Sequence, residues 1–183
     1  MKYALIFLIF LFTFLSCSKI SSVNENISNT SDQQDKFHIT AYNPMILDWI
    51  NQISGSKFRV ESIIPYDVNP HSYQLGAKDL IKISESKLVF SIGLQYENPT
   101  FIKILENNPD IKNVKLGEFI SPMKFVDNDH QEHNHEVYDP HFWFDPIRVS
   151  SAIKLISAEL SNLLPEESEY FNNKTSQYIT ELE

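Results

Sequence analysis

A chain of 183 residues, 42% of them hydrophobic, carries enough apolar material for one ordinary domain with a real core, which excludes an intrinsically disordered protein. Its formal net charge of −9, with no clustered Lys and Arg, argues against nucleic acid as a partner, because neutralising phosphates needs such clusters. A single cysteine allows no internal disulfide.

At the N-terminus, Met1-Lys2 precedes an almost unbroken apolar run over 3–15, followed by Ser16 and Cys17. The run is too short to span a bilayer comfortably and has the length of a signal-peptide core. A small residue just before the only cysteine resembles the processing site of bacterial lipoproteins, in a relaxed form with Phe14 and Leu15 in place of the more usual pattern. Residues 1–16 are therefore expected to be a signal peptide and Cys17 the lipidated first residue, a plain signal peptide with an incidental thiol being the alternative. Residues 17–36, rich in Ser, Asn, Asp and Gln, read as a flexible tether between lipid and domain.

The folded part is expected to begin near Phe37, with a short buried strand over 37–42. Met45, Ile46, Trp49, Ile50 and Ile53 then recur at helical spacing until Gly55 stops them. Residues 58–64 alternate and then turn apolar, as a strand does, ending at Pro65. A helix over 77–86, a strand over 88–93, a helix over 98–107 and a weaker strand over 113–117 follow. Strands separated by short helices imply right-handed βαβ units, so the fold class is α/β: a lobe over 37–146 with a parallel four-stranded sheet flanked by helices. Ligands of such sheets sit beyond the carboxyl ends of the strands, where Asn69-Pro70-His71-Ser72-Tyr73 falls.

Residues 122–138 show no periodicity and contain a histidine-rich acidic loop, 127–136, with His130, His133 and His135 among Asp129, Glu132 and Glu136. These side chains either collect a cation loosely or form a solvated polar loop; flexible ligands lose entropy when they close on a metal, and both readings stand. The octapeptide Asp139-Pro140-His141-Phe142-Trp143-Phe144-Asp145-Pro146 follows. Each proline fixes its own φ near −65° and disfavours helix at the aspartate before it, so His141 is presented on a stiff segment. Asp145 either hydrogen-bonds a ligand histidine or caps the next helix, the cap being favoured. Phe142, Trp143 and Phe144 are expected to pack beneath the site and between lobes. Helical spacing then runs over 147–164, and Pro165 opens a second helical segment to residue 183. Nothing follows to cover its Tyr170, Phe171, Tyr178, Ile179 and Leu182, which are expected to be exposed.

The Pro-His-Ser-Tyr turn at 70–73 and the Asp-Pro-His-x-Trp-x-Asp-Pro segment at 139–146 occur together. Lys78-Asp79-Leu80, Ile92-Gly93-Leu94-Gln95-Tyr96-Glu97 and the histidine-rich loop lie between them. In this order the chain resembles the N-terminal part of the substrate-binding lipoproteins of bacterial zinc and manganese ABC importers (the cluster A-I metal receptors). The resemblance implies that His71 and His141 are metal ligands and that a His or Glu and an Asp come from a C-terminal lobe joined by a long helix. Residues 147–183 are then the beginning of that connection, and the second lobe is expected to be absent from this chain. Zn²⁺ is the expected ligand, with Mn²⁺ the alternative. Expected partners are an ABC permease and, through Cys17, the outer face of the cytoplasmic membrane, towards periplasm or cell exterior; the protein is expected to be a monomer.

Neutral imidazole suits Zn²⁺, which takes about four ligands in a tetrahedron, so two histidines fill half of the shell. Histidine richness favours zinc, since hard Mn²⁺ prefers carboxylate oxygen. An enzyme is not expected: there is no His-Glu-x-x-His motif and no nucleotide-binding glycine loop. A zinc hydrolase would need a third protein ligand and a general base beside the two histidines. A metal-binding adhesin or metal-buffering lipoprotein is the competing class.

Overall fold

The structure is a computed structural model that describes residues 36–124 and 138–182. Four parallel strands, β1 (His38–Ala41), β2 (Arg59–Ser62), β3 (Leu88–Ser91) and β4 (Lys112–Lys115), lie in the order β2-β1-β3-β4. Five helices accompany them: α1 (Pro44–Ser54), α2 (Ala77–Glu85), α3 (Pro99–Glu106), α4 (Pro146–Leu163) and α5 (Ser168–Leu182). The expected parallel α/β sheet is therefore present, with β4 shifted to start at Lys112 and residues Leu116–Phe119 forming a 3₁₀ turn instead of its end.

The two inner strands are buried along their whole length, as strands covered on both faces must be, while β2 and β4 form the half-exposed edges. Tyr42, Phe90, Phe101 and Phe171 are the largest fully buried side chains of the one core.

Three helices begin with the same local device. Asn43 accepts the Ile46 N–H at 3.0 Å, Asn98 the Thr100 N–H at 2.8 Å and Asp145 the Ile147 N–H at 2.9 Å, each with proline in the first turn. Chain direction at each entrance is thus set by a side-chain cap and a fixed φ.

The last helix departs from expectation. After the 3₁₀ turn Pro165–Glu167, α5 packs on α4 and α1. Phe171 is fully buried 5.8 Å from the Phe58 ring, and Tyr170, Tyr178, Ile179 and Leu182 pack against the same core. Helical spacing shows which residues share a face but not what lies against it, and here the Pro165 turn supplies α1 and α4 as the cover. Gly55 makes the approach possible. It ends α1 at φ 56°, and a Cβ there would stand 2.6 Å from the Tyr170 hydroxyl oxygen.

Among the described residues no helix is long and apolar enough to cross a membrane. The expected signal peptide, Cys17 and the loop residues His130, His133 and His135 lie outside the described residues.

Candidate metal centre

Loops from three carboxyl ends of the sheet meet at one spot, together with the segment after β4. The β2–α2 loop brings His71, the β1–α1 loop Asn43, the β3–α3 loop Tyr96, and the stretch before α4 brings His141.

The two histidines sit in matching turns. Asn69 Oδ1 accepts the backbone N–H of His71 at 3.0 Å, and Asp139 Oδ1 accepts that of His141 at 2.9 Å, each across an intervening proline. Proline fixes one dihedral and the side chain closes the turn, so each imidazole leaves a backbone that has little freedom.

Only the aspartate does more than close its turn. Its Oδ1 also lies 2.8 Å from His141 Nδ1. The hydrogen bonds from the backbone and ring of His141 hold the Asp139 carboxyl below its ordinary value, so it stays ionised and only accepts. Nδ1 must therefore carry the hydrogen, which leaves the Nε2 lone pair of the neutral ring for a cation. Asp139 was not singled out in the sequence as a partner of the site, although an acidic residue two before a histidine, with proline between, was the available sign. Asp145 does cap α4: it accepts from the Ile147 and Arg148 N–H groups and pairs with the Arg148 guanidinium.

The ring centres of His71 and His141 are 6.2 Å apart, with planes at 50°. Two imidazoles that share a tetrahedral Zn²⁺ through nitrogens about 2.0–2.1 Å away have centres roughly 5 Å apart, so closing on one ion needs about 1 Å of movement. Side-chain rotation supplies that. Among the described residues no group of three or more His, Cys, Asp or Glu is gathered to complete a shell.

Aromatic rings surround the pair. Tyr96 stands edge to face with His71 at 5.3 Å and with His141 at 6.2 Å, and Trp143 lies 5.0 Å from His141. Phe142 is buried beneath, 6.1 Å from Trp49 of α1, whereas Phe144 is 81% exposed. Of the three aromatics only Phe142 therefore lies wholly under the site. A cavity of about 480 Å³ adjoins Tyr96 and Trp143 with walls that include Met45, Pro65 and Tyr66. A further cavity of about 570 Å³, lined by Gly93, Leu94, Gln95 and Glu97 among others, includes neither histidine and so is not the ion site.

The sequence profile of the family described as zinc-uptake complex component A, periplasmic, matches residues 39–183. The zinc-binding lipoprotein AdcA of Streptococcus pneumoniae is 28% identical over 169 residues, 85% of this chain and 32% of that protein. The manganese ABC transporter substrate-binding lipoprotein PsaA of the same species is 28% identical over 175 residues, 93% of this chain and 55% of that protein. A crystal structure of ZnuA aligns with a TM-score of 0.70 at 27% identity, covering 81% of this chain and 56% of that one. The chain spans about half the length, or less, of these relatives. It belongs to the zinc-uptake complex component A family, whose members are metal-binding substrate-binding proteins of ABC transporters and not enzymes.

Proposed function

We propose that this chain captures Zn²⁺ outside the cytoplasmic membrane through His71 and His141, held at the surface by lipid on Cys17, and hands the ion to an ABC permease. The single observation that carries the reading is the imidazole pair 6.2 Å apart with Asp139 fixing the tautomer of one member. Two neutral nitrogen donors favour zinc over manganese, because Mn²⁺ prefers oxygen. PsaA, a manganese lipoprotein by name, makes manganese the second reading. Two histidines fill half of a zinc shell, and further donors complete it. The residues 130, 133 and 135 of the histidine-rich loop are proposed as a loose collecting site ahead of the pair.

The test is calorimetric titration of Zn²⁺ and Mn²⁺ into the full chain with a competing chelator, beside a His71→Ala/His141→Ala variant and a variant with His130, His133 and His135 replaced by alanine. Zinc binding tighter than manganese binding and lost in the double variant is the expected result. Binding that survives there and follows the loop histidines would overturn the proposed site.

A further inference from the structure

Tyr96 reaches the histidines on an unusual turn. Gly93, Leu94 and Gln95 have φ of 76°, 55° and 66°, three successive residues in the left-handed region, two of which are not glycine. Such a backbone persists only where its surroundings over-determine it. Here the clamp is the buried carboxyl of Glu97: its Oε1 accepts the Ile92 N–H at 2.6 Å and the Gly93 N–H at 3.0 Å, folding the turn back on itself. The outcome of the fold-back is the placement of one ring.

That ring is packed among other aromatic rings. Tyr42 meets it edge to face at 6.1 Å and Trp143 at 5.6 Å. Tyr96 meets both histidines with its ring, edge to face, at 5.3 Å from His71 and 6.2 Å from His141. The two imidazoles depend on it unequally. His141 has Asp139 on its Nδ1 and Trp143 at 5.0 Å. The exposed His71 has its turn closed by Asn69 at the backbone, while its ring has Tyr96 and His141 as aromatic neighbours.

We propose that Tyr96 is a positioning residue of the metal site: its clamped ring braces the His71 imidazole and sets the distance between the two ligands. The inference rests on the reading of His71 and His141 as ligands. The function of the strained turn is then to hold an aromatic spacer where a relaxed loop would leave a mobile side chain.

The test measures the full chain with Co²⁺ alone, by its visible ligand-field absorption, and with Zn²⁺ by chelator competition. Tyr96→Leu is expected to lose about 10- to 100-fold in Zn²⁺ affinity, the range seen when support behind metal ligands is removed, and to alter the Co²⁺ spectrum. The metal-free melting transition should stay cooperative. Tyr96→Phe keeps the ring and is expected to restore both readings towards those of the parent chain. If Tyr96→Leu does not fold, Tyr96→Trp replaces it; its larger ring should spread the pair and change the spectrum. A parent-like spectrum and affinity in the folded Tyr96 variants, with binding lost in His71→Ala/His141→Ala, would sink the spacer role alone. Binding retained by the double histidine variant would overturn the ligand reading and the spacer role together.

Discussion

Glu97 gives a stability prediction that is independent of metal. It is 7% exposed, and burial pushes its carboxyl from 4.5 up to about 7, outweighing the N–H groups of Gly93 and Ile92 that favour the charged form. The folded protein thus keeps this proton up to about pH 7, whereas the unfolded chain releases it near 4.5. Between those values the native state binds more protons, so this group's contribution to stability is fully present below 4.5 and is lost as pH rises to about 7. The shift corresponds to about 3 kcal/mol, a sizeable part of the 5–15 kcal/mol typical of a domain. Glu97→Gln removes the titration while a carbonyl at the Oε1 position still accepts both N–H groups. Urea unfolding of the metal-free chains at several pH values across this window is the assay. The parent should lose up to about 3 kcal/mol relative to the variant as pH rises, whatever other groups contribute to both. Parallel pH profiles for the two proteins would refute burial as the source of the shift.

Asp139→Asn should weaken Zn²⁺ binding by about 10- to 100-fold, read by chelator competition, because a neutral amide accepts the His141 Nδ1–H more weakly than a carboxylate and leaves Nε2 a poorer donor to the ion. Unfolding of that variant without metal should change little, since the amide oxygen still accepts the His141 backbone N–H that closes the turn. Phe171→Ala should cost about 3–5 kcal/mol in urea unfolding, the usual range for emptying a buried aromatic site. A loss under about 1 kcal/mol would show that α5 does not pack on Phe58 as described.

Most of the fold was legible because its signals are local. Short apolar or alternating runs mark the strands and helical spacing marks the helices, whose starts at Pro44, Pro99 and Pro146 lie within a residue of expectation. His71 and His141 stood out for the same reason, each beside a proline in a stiff corner. What escaped is what distant segments do to one another. The apolar face of α5 was visible, but its cover depends on how the turn at Pro165 returns the chain to α1. Tyr96 was part of a recognised stretch without being marked, because its meeting with His71 depends on sheet order. Nor does any propensity place Leu94 and Gln95 at positive φ; a tertiary clamp does that.

In the proposed site the groups that would meet the ion are distinct from the groups that aim them. Asn69 and Asp139 close the two histidine turns, and Glu97 clamps the turn behind Tyr96. Each acts on its own loop, and none is an imidazole. Ordering entropy is spent during folding and not at capture, so even half of a shell can be offered in nearly final geometry. The proposed preference for zinc follows from the same division. Rigid neutral nitrogens lower the cost of binding for an ion that accepts them in a small tetrahedral shell, and do less for Mn²⁺, which would still need its oxygens from elsewhere. Loosening the aim should therefore erode zinc affinity faster than manganese affinity.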